Sequence, residues 1–171
     1  MAEIQTKPTT KSCDIIQMLK DNGFEYKQSD ICFETYFSHS QSVLDMQILL
    51  EKSVVVKYNQ STKQSYLFYI DKNQKNCTQI ADAKIAKQIL QSSGHFAWCE
   101  YTCTNTIFEK QDIQITLINA FDIGEFLEIK SPSKNKQELI EISNQIGIKN
   151  NGVFDINIGA EYYKKNYEEN I

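Results

Sequence analysis

Arginine is absent from this chain of 171 residues: all 18 of its strongly basic residues are lysine. Any site that needs the planar, bidentate guanidinium fork is thereby excluded, and phosphate or carboxylate has to be met by point charges. Histidine is nearly absent too. His39 and His95 stand far apart in sequence, and the five cysteines (Cys13, Cys32, Cys77, Cys99, Cys103) contain no CxxC pair. That ligand supply argues against a zinc site, and an odd cysteine count suits free thiols in a reducing compartment better than a disulfide framework. No apolar run approaches the length of a membrane span, and "MAEIQTKPTTKS" has no signal-peptide core. The expectation is an intracellular, cytoplasmic protein with no membrane association.

What is present is a 41% hydrophobic chain of net charge -4, with a pI near 5.2. Such a chain can bury one sizeable core, so a single domain over residues 1–171 is expected. The acidic balance argues against general nucleic-acid binding while leaving a local basic cleft open.

Period-two alternation makes "AEIQTKP" a first strand, with Glu3, Gln5 and Lys7 on one face. Helical spacing of Ile15, Ile16 and Leu19 predicts a helix with a Ser or Thr cap before it and Gly23 at its stop. "DICFETYF" reads as a strand in which Glu34 and Tyr36 share a face, and "VVVKYN" with "SYLFYID" as a hairpin around "QSTKQ". "SVLDMQILLEKS" is ambiguous between a helical turn and a strand. A second helix is expected over roughly 79–93, ended by Gly94. Three consecutive antiparallel strands follow, with polar breaks near Thr104 to Thr106, Lys110 to Asp112 and Asp122 to Gly124. A third helix carries Leu139, Ile142 and Ile146, with Asn135 and Glu138 placed to cap its start and Gly147 its end. The tail "GAEYYKKNYEENI" suits a short last helix. This order is α+β, with about eight antiparallel strands able to form a closed or nearly closed barrel with flanking helices.

Three stretches carry a resemblance. "EIQTK" is similar to an ExExK strand with Gln5 in place of the middle glutamate, "ETYF" to a D-T-Y-F stretch, and "LINAFDIGEFLEIK" to a late strand hairpin ending in E-x-E. Together with the element order they resemble the CYTH family, the triphosphate-tunnel fold of class IV adenylyl cyclases, thiamine triphosphatases and inorganic triphosphatases. The resemblance implies a lumen in which alternating carboxylates hold divalent metal while cations meet a polyphosphate or nucleotide of about four negative charges. Carried over to this chain, Glu3, Glu34 and Glu128 would support Mg or Mn, and Lys7, Lys57, Lys72 and Lys130 would bind phosphate.

The departures weigh against unaltered catalysis. Val55 and Lys57 stand where two cations are usual, Ile70 where a lysine is, and Ile118 where an aspartate is. A K-x-R pair is replaced by Cys99 with Tyr101, or by Tyr101 with Cys103, and Lys130 occupies the place of the second carboxylate of E-x-E. Each retained residue also has a plainer reading. Glu3 with Lys7 reads equally as a surface ion pair, Glu34 as a structural acceptor for a tyrosine hydroxyl, Lys57 as a lysine reaching to water, and Glu128 with Lys130 as a neutralised pair. Tyr58, Tyr66, Phe68 and Tyr69 read as core and hairpin packing rather than a base-stacking platform, since no basic groove accompanies them, and Trp98 reads as core.

The expectation is therefore a divergent CYTH-like domain serving as a non-catalytic binding or structural module, without a cofactor. Protein assembly would use an exposed face or the C-terminal Tyr/Lys tail of Tyr162, Tyr163, Tyr167, Lys164 and Lys165. The alternative is a metal-dependent triphosphatase or adenylyl cyclase.

Overall fold

The computed structural model describes residues 1–39, 49, 52–71 and 74–168. Eight antiparallel strands follow the order β1-β8-β7-β6-β2-β3-β4-β5, with β1 and β5 as end strands and helices alongside. This is the α+β class and the strand count that the alternation predicts. The chain divides into two compact units, each discontinuous in sequence: Met1–Ser29 with Thr104–Asn157, and Asp30–Cys103 with Ile158–Ile171. Strands β2 (Glu25–Ser38) and β6 (Phe96–Lys110) contribute to both, so each unit has its own part of the sheet.

In the first unit, β1 (Ala2–Thr6) pairs with β8 (Gly124–Ser131), which pairs in turn with β7 (Ile113–Ala120). Alternation sends Ile4, Ile115, Leu127 and Ile129 to one face, where helix α1 (Ser12–Asp21) adds Ile15 and Leu19 and helix α3 (Lys136–Ile146) adds Leu139 and Ile146. Burying each such side chain stabilises by roughly 1.5–3 kcal/mol, and this cluster is the core of the unit. The opposite face carries two polar rows set by register: Glu3, Lys130 and Gln114, then Gln5, Glu128 and Thr116.

Helix α3 has the expected capping box, in which the Asn135 side chain accepts from Glu138 N and the Glu138 carboxylate accepts from Asn135 N. Gly147 ends it at φ 87. Helix α1 differs from expectation. Its N-cap is Lys11, with no side-chain cap bond, because Ser12 already lies inside the helix.

In the second unit, β2 pairs with β3 (Val54–Asn59), β3 with β4 (Gln64–Asp71), and β4 with β5 (Gln74–Ile80). The hairpin of β3 and β4 is the one read from the sequence. Strand β5 was not, and helix α2 accordingly starts later, at Ala83–Ser92. The polar break foreseen near Thr104 to Thr106 does not interrupt β6, because threonine suits a pleated strand. Helix α4 (Ile158–Tyr163) continues into a π-turn over Lys164–Glu168, where Tyr163 is buried and the Tyr167 hydroxyl donates to Trp98 O at 3.2 Å.

Trp98 is buried, and its indole N–H donates to Ser53 Oγ at 3.2 Å. By contrast, none of Tyr58, Tyr66, Phe68 and Tyr69 is fully buried, which corrects their reading as core. The ambiguous "SVLDMQILLEKS" lies largely outside the described residues.

Candidate functional site

Strand alternation places Cys32, Glu34 and Tyr36 on one face of β2, with Lys57 directly opposite Glu34 on β3. Lys57 Nζ lies 2.7 Å from Glu34 Oε1. The other carboxylate oxygen accepts from the Tyr101 hydroxyl at 2.8 Å, and the Tyr36 hydroxyl lies 3.4 Å from that of Tyr101. With side-chain exposures of 24% for Lys57 and 14% for Glu34, this pair is largely withdrawn from water. Burial works against the Lys57 ammonium, but the charge and hydrogen bond of Glu34 together with the neighbouring Cys32 and Cys103 more than compensate and hold the pKa above the ordinary lysine value. Burial, and then the same carboxylate, push the Tyr36 and Tyr101 hydroxyls well above the usual tyrosine value. Both therefore stay neutral donors at any physiological pH.

Three thiols adjoin this network. Cys103 and Cys32 interact as neighbouring thiols, an interaction that with burial raises the Cys103 pKa and that, with help from Lys57, lowers the Cys32 pKa. Burial, then Glu34, raises Cys99. All five cysteines are free, as the odd count suggested.

The first unit holds a separate charge site. Lys130 Nζ is 2.8 Å from Glu128 Oε1 and 3.4 Å from Glu3 Oε2. Burial lowers the Lys130 pKa, but Glu128 and then Glu3 more than compensate, so the net shift is upward. Lys7, also in this unit, places its ammonium 6.0 Å from the centroid of the Phe126 ring. Its side chain passes beside Gly124, whose φ of 146 suits glycine.

The structure thus brings Glu3, Glu128 and Lys130 together in one unit and Glu34 with Lys57 in the other; Lys72 lies outside the described residues. Sequence reasoning foresaw the Glu128–Lys130 pair as an alternative to metal binding and Glu34 as an acceptor for a tyrosine hydroxyl, but it read Lys57 as reaching to water, which its 2.7 Å pair with Glu34 corrects. It missed the meeting of His39 and His95, whose ring centroids are 3.5 Å apart, because their separation in sequence hides it.

The donor set does not suit a hard divalent ion. Mg or Mn needs about six oxygen ligands, whereas Glu3 and Glu128 already converge on one ammonium. Among the described residues, no group of three or more His, Cys, Asp or Glu is placed to hold a metal. Among them, too, no helix is long and apolar enough to cross a membrane.

No family model matches the chain, and no curated protein does. Solved structures match over nearly their whole length. A candidate adenylate cyclase of Vibrio parahaemolyticus is 15% identical with a TM-score of 0.71, covering 98% of this chain and 95% of its own. HpAC1 of Hippeastrum, described as a candidate adenylyl cyclase with a dominant triphosphatase activity, is 12% identical with a TM-score of 0.60, covering 88% and 90%. A chain of the Schizosaccharomyces pombe Mediator head module is 8% identical with a TM-score of 0.60, covering 86% and 95%. At such identities the likeness is one of fold.

Proposed function

We propose that this chain, which has the triphosphate-tunnel fold of the CYTH proteins, is a non-catalytic member of that fold and serves as a binding or assembly module. One observation carries the reading: Lys130 holds the Glu3 and Glu128 carboxylates at 3.4 and 2.8 Å, where a metal-dependent enzyme would need them for a divalent cation. The Glu34 carboxylate is likewise committed to Lys57 and Tyr101. Carboxylates engaged in this way have little charge left with which to hold a divalent cation, and the ammonium groups that engage them have little left with which to hold a polyphosphate. The Mediator head module neighbour supports the assembly role, since there a chain of this fold belongs to a multi-protein module.

A second reading keeps the chemistry, and the triphosphatase activity named for HpAC1 favours it. In it Glu3, Glu34 and Glu128 support Mg or Mn, while Lys7, Lys57, Lys72 and Lys130 meet phosphate in place of arginines.

The two readings separate in one assay. The purified full chain is incubated with tripolyphosphate, thiamine triphosphate or ATP and millimolar Mg or Mn, and phosphate, pyrophosphate and cyclic AMP are measured. Product at the level of the blank is expected. Turnover of about 1 per second or faster, in the range of working enzymes, overturns the non-catalytic reading.

A further inference from the structure

The face of the second unit's sheet opposite Glu34 and Lys57 carries its own cluster. Phe33 of β2 pairs across the ladder with Tyr58 of β3, and their rings stack at 6.2 Å with an interplanar angle of 28°. Phe33 remains 37% exposed. A scattered exposed aromatic needs no explanation, but this pair lines a groove of about 640 Å³, the size of a small-ligand site.

Three lysines line the same groove, Lys63, Lys84 and Lys87, against Asp82 and Glu100. Both carboxylates are engaged: Asp82 Oδ1 caps helix α2 by accepting from Lys84 N at 2.7 Å and Ile85 N at 3.0 Å, and Glu100 Oε1 lies 3.2 Å from Lys87 Nζ. Lys63 and Lys84 make no ion pair among the described residues. Lys63 is also held at φ 57, a left-handed conformation that lysine rarely adopts.

We propose that this groove binds a mononucleotide, with its base against Phe33 and Tyr58 and its phosphate at Lys63 and Lys84. Stacking on aromatic rings is tolerant of base identity, because every base has a π-face, while the two ammonium groups supply charge complementarity in a chain that is acidic overall. The site uses the face turned away from Glu34 and Lys57, so it stands whether or not the fold retains catalysis. Tyr58 read as packing in the sequence for want of a basic groove. The lysines that make one come from the β3–β4 turn and from α2.

Calorimetric titration of the full chain with AMP and with UMP, in EDTA to remove divalent metal, tests the proposal. One-to-one binding of both at or below about 1 mM is expected. Phe33→Ala, at an exposed position, should weaken it by about tenfold or more. Lys63→Gly, which relaxes the turn while deleting the ammonium, should weaken it severalfold and reduce its salt dependence. No binding below about 1 mM overturns the proposal, as does binding that Phe33→Ala and Lys63→Gly leave unchanged. Adenosine binding as tightly as AMP would also overturn it, since it shows that the anion is not read in this groove.

Discussion

The two units solve the same charge problem differently. In the second, one carboxylate is matched by one ammonium and a tyrosine hydroxyl, and its exposure is only 14%. In the first, one ammonium serves two carboxylates, Glu128 at 13% exposure and Glu3 at 34%. Lys57 with Glu34 is a one-to-one pair completed by a tyrosine hydrogen bond, whereas Lys130 is shared between Glu3 and Glu128. Low dielectric demands local balance, and the partial exposure of Glu3 relaxes that demand. Identical strand alternation therefore yields an exclusive pair in one place and a shared ammonium in the other.

The sharpest way to break this comparison is to delete each cation in turn. Lys57→Met strands the Glu34 carboxylate in a largely buried site and should cost about 3 kcal/mol or more in urea denaturation. Adding Glu34→Leu should recover most of that loss. Lys130→Met should cost a comparable amount, since Glu128 is as withdrawn from water as Glu34, and a much smaller loss would show that water relieves the first unit's carboxylates. Next in size is Gly124→Ala, which forces an alanine to φ 146 beside the Lys7 side chain and should lower stability by about 1–3 kcal/mol.

A smaller effect sharpens the first unit's surplus of carboxylate. Lys130→Glu converts the ammonium site into a third acidic group, so millimolar Mn should raise the melting temperature of the variant by a few degrees and leave the parent unmoved. A parent that responds as strongly would show that Lys130 does not block metal.

The smallest expected effect belongs to the second unit, which holds both histidines. Burial, and then His39, lower the His95 pKa from its ordinary 6.5. The unfolded chain therefore binds a proton at this residue more readily than the folded one. Its contribution to stability is complete above pH 6.5 and declines as pH falls from there through the lower folded value. His95→Gln should flatten the stability profile below that pH, and an unchanged profile would remove His95 as its source.

Local pattern made much of this legible. Alternation placed Glu3 and Gln5 on one face of their strand and Glu128 and Lys130 on one face of theirs, and the Asn135 and Gly147 signals bounded α3 as observed. What escaped depends on partners distant in sequence. The Tyr101 bond to Glu34 and the contact of Cys103 with Cys32 arise because β6 neighbours β2, and strand order is not written in local periodicity. Strand β5 is mostly polar, and its pairing with β4 rather than its composition makes it a strand. The groove at Phe33 was hidden for the same reason, since its lysines and aromatics lie on different elements.

The interleaving of the two units bears on how the protein is made. A ribosome delivers Met1–Ser29, then most of the second unit, then the rest of the first, and after it Ile158–Ile171. Neither unit can be completed before translation has passed residue 157, and no single cut of the chain releases either one whole. Folding during synthesis therefore passes through partial intermediates with apolar surface still uncovered. Helix α4 and the π-turn after it, bringing Tyr163 and Tyr167, supply contacts that the second unit lacks until they emerge.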